Sequence, residues 1–358
     1  MSAFPAHPDY VSADWLTDQL EGTPYLALGP VESVSWEPIG TGQVGDSVRF
    51  HLTHVGGDTS TLAAKFPAED AASRATAAML GLYAKEVRFY AEIAPLLAMR
   101  APEVLAAEVS AHGSEFILLF EDLGPARGGN QIAGCSIEDA RAAIRQAAAI
   151  HAPSWQKDAI LSADWLQRSE AIDAQVRALY PQAQAVFAER YADTLEPEYM
   201  ALCEEVAAHP QLFHHADRKA PQCVVHGDFR LDNFLFDIRG GAEPIAVLDW
   251  QTVSIGNAMT DIGYLLGCGI GDALRRAHED ELLALYLAEM ATRGVELARE
   301  DIWTDYRLGA LHGVTTAVFS AAFVERTERG DANFLSMARG ACALALHHDS
   351  LAALKETA

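Results

Sequence analysis

The stretch from Cys223 to Gln251 constrains this chain most. An apolar lead-in, Cys223 to Val225, delivers His226, Gly227 and Asp228 onto a loop that Asn233 closes just before the apolar Phe234, Leu235 and Phe236. Gly240 and Gly241 then reverse the direction, and a second apolar run, Ile245 to Leu248, ends on Asp249. This pattern predicts two short strands paired as a hairpin, with Asp228 and Asn233 at its entry and Asp249 at its exit. Carboxylate and amide oxygens are hard ligands that suit magnesium, so Asn233 and Asp249 are candidate metal ligands. Asp228 is better placed to accept a proton from an attacking hydroxyl. Taken singly, each of the three reads as a turn former or a helix cap. Their joint spacing favours chemistry.

Upstream, Ile39-Gly40-Thr41-Gly42-Gln43-Val44-Gly45 follows GxGxxG. A dinucleotide-binding reading would require a helix immediately afterwards. Instead Ser47 to Thr53 alternates like a strand, Gly56 to Asp58 make a turn, and Thr59 to Phe66 reads as another strand. A glycine loop between antiparallel strands covers nucleotide phosphates in kinase-like proteins, and a plain flexible hairpin is the alternative. Lys65 lies in the third strand, where a half-buried lysine is costly unless paired. The spacing from Ser73 to Leu97 predicts one long helix with Met79, Tyr83, Tyr90 and Ile93 on its apolar stripe and Glu86 on the same stripe. Lys65 is the expected partner of Glu86; Glu69 and Glu92 are alternative partners for the lysine, and Lys85 is a competing cation. Val104 to Val109 and Phe116 to Phe120 read as two more strands around a turn at His112 and Gly113. Glu121-Asp122-Leu123-Gly124-Pro125 then stops the last strand and marks a crossing between lobes.

HGDxxxxN at 226–233, followed by a strand ending Leu248-Asp249-Trp250, resembles the aminoglycoside phosphotransferase, choline kinase and ecdysteroid kinase-like group, relatives of the protein kinases. The resemblance implies an α+β, two-lobed protein kinase-like fold. Its small N-terminal lobe, residues 1–122, would hold an antiparallel sheet and one long helix, and its larger, mainly helical C-terminal lobe residues 123–358. It further implies ATP beneath Gly40, Gly42 and Gly45, Lys65 on the phosphates with Glu86 orienting it, and backbone near Glu121 and Leu123 against adenine. Mg2+ would sit on Asn233 and Asp249, with Asp228 as base. The acidic side chains of Glu121 and Asp122 are expected to be solvated. Arg230 either neutralises the transferred phosphoryl group or makes a structural ion pair. Gln251 replaces the DFG glycine, so the activation-loop switch of protein kinases is not implied. The implied activity is phosphorylation of a hydroxyl on a small molecule, and the alternative is a nucleotide-binding pseudokinase that regulates a partner. A metal-dependent phosphoesterase is set aside, because no upstream DxH or downstream GNHD accompanies Gly227-Asp228. The acceptor stays open: a bulky apolar one suits a helical pocket, an antibiotic a pocket lined by acids.

The remaining segments read as helices. Ser136 with Asp139 predicts a helix start, and that helix ends near His151, read as a capping or packing residue rather than a catalytic one. Helical patterns cover 165–179, 183–191 and 197–208, then 278–293, 301–324 and 332–354. Thr260 or Asp261 is expected to cap a helix over Ile262 to Leu266, with Asp261 also bracing the catalytic loop. Trp303, Asp305, Tyr306 and His312 are candidates for lining the acceptor pocket. With 50 acidic against 26 basic residues the net charge is -24, which argues against nucleic acid or an anionic membrane as partner. The five scattered cysteines read as buried thiols in a reducing cytoplasm. Met1 to Tyr10 lacks the basic and apolar regions of a signal peptide. Leu308 to Val324 is shorter than a membrane span and contains His312, Thr315, Thr316 and Ser320, so a buried helix is expected there.

Overall fold

Alternating burial along consecutive strands builds the first lobe of the computed structural model, which describes residues 4–41, 45–209, 220–324 and 326–357. Strands β1 (Val31–Thr41), β2 (Gly45–His54), β3 (Thr59–Pro67), β4 (Val104–Val109) and β5 (Phe116–Glu121) form an antiparallel sheet in the order β1-β2-β3-β5-β4. Val48, Phe50, Leu62, Ala64, Ile117 and Leu119 face a core closed by helix α1 (Ala13–Gln19) through Leu16. The opposite face of β5, Phe116, Leu118 and Phe120, packs into the main core with Tyr83, Val87 and Tyr90. Both faces of β5 are therefore covered, which explains why it reads as a continuous apolar run. Gly42 lies outside the described residues.

The long helix expected over 73–97 is broken. Helix α2 (Ala71–Met79), capped by Asp70, stops before Gly81, whose φ of 68° is left-handed. Helix α3 (Leu82–Arg88) starts afresh and runs into a π-helical turn at Phe89–Ile93. The break rotates Met79 out of the apolar stripe to 75% exposure, while Tyr83, Glu86, Tyr90 and Ile93 stay buried against the sheet.

The second lobe is mainly helical. Helix α4 (Ile137–Ser154) begins at the expected Ser136–Asp139 capping box and carries Pro153 within its last turn. After the short α5 (Asp158–Leu161), α6 (Glu170–Tyr191) is one helix where two were expected. It continues through Pro181 because Tyr180, Ala183, Gln184 and Phe187 are buried on either side of the proline. Helix α7 (Pro197–Ala207) follows. Strand β6 (Arg127–Gly128) pairs with β8 (Phe234–Asp237), and β7 (Cys223–Val225) pairs with β10 (Ser254–Gly256). The predicted hairpin joins β8 through α8 (Ile238–Gly241), a single irregular turn, to β9 (Glu243–Val247). Helices α9 (Met259–Tyr264), α10 (Asp272–Thr292), α11 (Arg299–Phe323), α12 (Glu328–His347) and α13 (Ser350–Thr357) complete the lobe. The helix expected over 332–354 is divided between α12 and α13 around Asp349, whose φ is 49°. Cys203, Cys223, Cys268 and Cys342 are buried free thiols, and Cys135 is half-buried. Among the described residues no helix is long and apolar enough to cross a membrane.

Candidate active site

A cleft of about 1650 Å³ runs between the two lobes. Gly40, Gly45, Lys65 and Glu86 line it from the sheet side, and Asp228, Arg230, Asn233 and Asp249 from the helical lobe. Strand register makes the second group. Leu248 N–H donates to Asn233 O at 2.8 Å, continuing the β8–β9 ladder by one step, so Asn233 and Asp249 stand side by side where the hairpin opens. Asp249 occupies the left-handed region at φ 63°, a conformation costly for a residue with a Cβ and concentrated at functional sites.

Lys65 reaches both halves. Its Nζ is 2.7 and 2.9 Å from the carboxylate oxygens of Glu86 and 2.8 Å from Asp249 Oδ1, which settles its partner over Glu69 and Glu92. Burial pulls the lysine pKa down, but the two carboxylates outweigh it and hold the ammonium above its usual value. One cation shared by two acids leaves a charge uncompensated, and burial with Asp249 close by holds the Glu86 carboxyl above its ordinary value. Gly45 sits directly on this lysine: a Cβ there would lie 3.0 Å from Phe66 O and 3.2 Å from Lys65 Cε, so any larger residue would push against the lysine stem.

Asp228 is held by three donors. Asn233 Nδ2 donates to its Oδ2 at 2.8 Å, Tyr264 OH to Oδ1 at 3.0 Å, and Arg230 Nε to Oδ2 at 3.1 Å. Burial acts to raise the pKa, yet the charge of Arg230 and these hydrogen bonds prevail and lower it, so Asp228 is an ionised acceptor. Arg230 also bonds Asp232 at 3.0 Å, so it makes the structural ion pair that is one of its two expected roles.

The loop carrying Asp228 is braced from behind. Asp261 Oδ2 accepts from His226 N–H at 2.7 Å and Oδ1 from Gly227 N–H at 2.9 Å, the bracing expected of it. Neither Thr260 nor Asp261 caps α9, whose N-cap position is Ala258; one residue earlier, Asn257 Oδ1 accepts from Met259 N–H at 2.8 Å. Of the two readings for His151, capping or packing, it is the packing one that holds. It is fully buried, with Nε2 3.2 Å from Asp261 Oδ2 and Nδ1 3.0 Å from Tyr286 OH. His226 takes a defined tautomer, since Nδ1 accepts from Asp228 N–H at 3.2 Å and Nε2 donates to Leu248 O at 2.8 Å. That imidazole thereby ties the two halves of the 223–251 stretch together.

At the cleft wall, Glu121 corrects another expectation. Its side chain is buried, not solvated, and bonds Arg100 Nη1 at 2.5 Å as well as Arg239. Asp122 is likewise engaged, by Arg49 Nε at 2.6 Å. Leu123 is buried at the cleft wall, and its carbonyl accepts from Arg239 N–H at 3.0 Å. His312, Thr316 and Ser320 line the cleft at every fourth position of α11, and Val324 lines it just past the helix end. Of the other pocket candidates, Trp303 and Tyr306 pack against His348, with Tyr306 OH 2.5 Å from Glu279, and Asp305 bonds Asn257 at 2.7 Å beside a smaller cavity. Tyr264 escaped the sequence reading, although its place one turn beyond Asp261 on the same helix was a usable signal.

The donor set at the hairpin mouth fits a hard divalent cation. Asn233 spends its Nδ2 on Asp228, which leaves the amide oxygen for a cation. Asp249 brings a carboxylate, and the neighbouring Gln251 has a buried Oε1 with no partner among the described residues. A second cluster, Glu279, His347 and His348, also has metal-compatible spacing, but Arg275 Nη1 lies 2.9 Å from Glu279 and 3.1 Å from His347 and supplies the positive charge there.

Comparison with known proteins gives a limited sequence match and a whole-length fold match. Acyl-CoA dehydrogenase family member 11 of Mus musculus is 43% identical over 49 residues, 14% of this chain and 6% of that one. Family member 10 of the same organism is 44% identical over 50 residues, 14% and 5% of the two chains. The chain thus matches only a small fraction of either relative's length. The solved GDP and kanamycin complex of APH(2")-IIia superposes with a TM-score of 0.50 at 14% identity, covering 85% of this chain and 91% of that one. A microcompartment-associated aminopropanol kinase gives 0.45 at 17% identity, covering 90% and 94%. The ecdysteroid kinase-like family model matches residues 47–297.

Proposed function

Because the chain belongs to the ecdysteroid kinase-like family, a group of small-molecule phosphotransferases acting on hydroxyl groups, we propose that it transfers the γ-phosphoryl group of ATP to a hydroxyl of a small molecule in a Mg2+-dependent reaction. The observation that carries this reading is one cleft shared by the Lys65–Glu86–Asp249 cluster and the Asp228–Arg230–Asn233 cluster.

In phosphoryl transfer the protein mostly positions reactants and stabilises charge. The backbone at Gly40 and Gly45 closes over the phosphates, and Lys65, oriented by Glu86, offers its ammonium to them. Adenine lies against the backbone from Glu121 to Leu123, where the Leu123 N–H is the group available because its carbonyl is already engaged. Asn233 and Asp249 would hold the Mg2+, which when bound supplies charge neutralisation between the phosphates. Asp228 accepts a hydrogen bond from the acceptor hydroxyl and takes its proton as the new O–P bond forms and the bond to the ADP oxygen breaks. Its lowered pKa suits it to receive that proton late in the transfer and to release it readily. Arg230 keeps the carboxylate ionised and oriented.

The test is Asp228→Asn, which keeps shape and removes the base. ADP release against a panel of hydroxylated metabolites is expected to fall by about a hundredfold to ten-thousandfold, the usual contribution of a positioned base. Affinity for a non-hydrolysable ATP analogue should be retained. Undiminished turnover in the variant would remove Asp228 from this role. Nucleotide capture by the wild type with no turnover of any alcohol would favour the pseudokinase reading.

A further inference from the structure

Lys85 and Arg168 are cations lining the cleft that the proposed phosphoryl transfer leaves unused. Lys85 and Glu86 are neighbours on α3, so their side chains leave the helix about 100° apart. Glu86 turns to Lys65, whereas Lys85 turns toward the segment joining the Asp249 turn to β10, where its Nζ meets Val253 O at the long distance of 3.4 Å. Lys85 is half-buried, lines the cleft, and has no carboxylate partner among the described residues. Arg168 lines the same wall and is close enough that its charge, after burial, lowers the Lys85 pKa and also that of His312.

The carboxylates of this wall are already taken. Asp173 bonds Arg168 Nη2 at 3.0 Å, Glu170 bonds Arg177 at 2.7 Å, and Asp232 bonds Arg230 at 3.0 Å. A partly desolvated ammonium beside a guanidinium, with no anion of its own, is an unfavourable arrangement that a bound anion would relieve. Thr316 and Ser320 line the same cleft with their hydroxyl-bearing side chains.

Resting on the kinase reading above, we propose that Lys85 and Arg168 form an anion subsite of the acceptor pocket. The acceptor is then a hydroxylated small molecule that also carries a carboxylate or a phosphate ester, held at one end by this pair while its hydroxyl meets Asp228. Polycationic acceptors are repelled by the same two residues.

The test is calorimetric binding to protein loaded with Mg2+ and a non-hydrolysable ATP analogue. The probes are straight-chain hydroxy acids of graded length, the phosphate monoesters of the matching diols, the methyl esters of the acids, and the matching amino alcohols. At least one acid or phosphate ester should bind tenfold or more tightly than its uncharged or cationic counterpart. Which of the two anions is preferred assigns the head group. Lys85→Gln should weaken that binding by about tenfold to a hundredfold, the worth of a charged hydrogen bond. Lys85→Arg should restore most of it, which separates loss of the charge from damage to the fold. The proposal is overturned if no anionic probe outbinds its partners, or if Lys85→Gln leaves the preference within twofold. Binding of the ATP analogue, together with ADP release from ATP when a neutral or amine-bearing alcohol takes the phosphoryl group, would leave the kinase reading standing while this subsite falls.

Discussion

Asparagine at position 261 probes how the catalytic loop is held. Three donors converge on the Asp261 carboxylate: His226 N–H at 2.7 Å, Gly227 N–H at 2.9 Å and His151 Nε2 at 3.2 Å. The residue is 0% exposed, so water cannot replace a lost bond. A carboxylate accepts all three, whereas an asparagine turns an NH2 group toward one of them and opposes donor to donor. One buried N–H then goes unsatisfied, at a cost of about 1–3 kcal/mol, and the bonds that remain lose their charge assistance. Removing the buried charge offsets part of this. However, burial acts to raise the Asp261 pKa and the hydrogen bonds nevertheless hold it low, so the bonds prevail. The expected net loss is about 3 kcal/mol, equivalent to roughly 6–12 °C in the thermal midpoint of a lobe this size. Urea unfolding of both proteins across pH is the assay. The folded pKa lies below the ordinary value of 3.8, so the contribution of the carboxylate is complete above 3.8 and is lost as pH falls through the folded value. The gap between wild type and Asp261→Asn should accordingly stay constant from neutral pH down to about pH 5 and narrow only below the ordinary carboxylate range. A gap under about 0.5 kcal/mol at neutral pH, the size of an ordinary surface change, would refute the reasoning. So would a gap that closes well above the carboxylate range.

Two further outcomes follow from the ionic clusters. Lys65→Met leaves Glu86 and Asp249 without their cation, and affinity for a non-hydrolysable ATP analogue should drop by tenfold or more while Glu86 takes up a proton; calorimetry and infrared carboxyl bands report the two effects, and an unchanged affinity would detach Lys65 from the phosphates. Tyr264→Phe removes a donor to the ionised form of Asp228, so the acidic limb of the kcat/KM profile for ADP formation should move up by about one pH unit, equivalent to about 1.4 kcal/mol. A limb that stays in place would mean the phenol does not tune the base.

What the sequence disclosed tracks how locally each feature is determined. Asp228, Asn233 and Asp249 share one hairpin, so strand register alone brings them together, and the Lys65–Glu86 pair needed only a strand followed by a helix with a carboxylate on its apolar face. The break at Gly81 was not legible, because a lone glycine in a helical run is compatible with either an uninterrupted helix or a left-handed stop. Burial of Glu121 depends on Arg100 and Arg239, which reach it from separate elements. The partners of His151 likewise lie on α9 and α10. For Trp303 and Tyr306 helical spacing defined a shared face but not which neighbour it meets, and that neighbour is α10 with His348 rather than the cleft.

Both sides of the cleft floor carry more carboxylate than cation. Lys65 is shared by Glu86 and Asp249, and Arg230 by Asp228 and Asp232, so each cluster places two carboxylates on one cation. A polyphosphate approaching that floor would meet surplus negative charge in a partly desolvated setting, where repulsion is stronger than in water. Under the proposed function, a hard cation between Asn233 and Asp249 would offset this surplus. Around Lys85 the acids Asp173 and Glu170 are matched by Arg168 and Arg177, and Lys85 is left over. If both proposals hold, carboxylates exceed cations where the nucleotide would sit, and a cation exceeds carboxylates where the acceptor would sit.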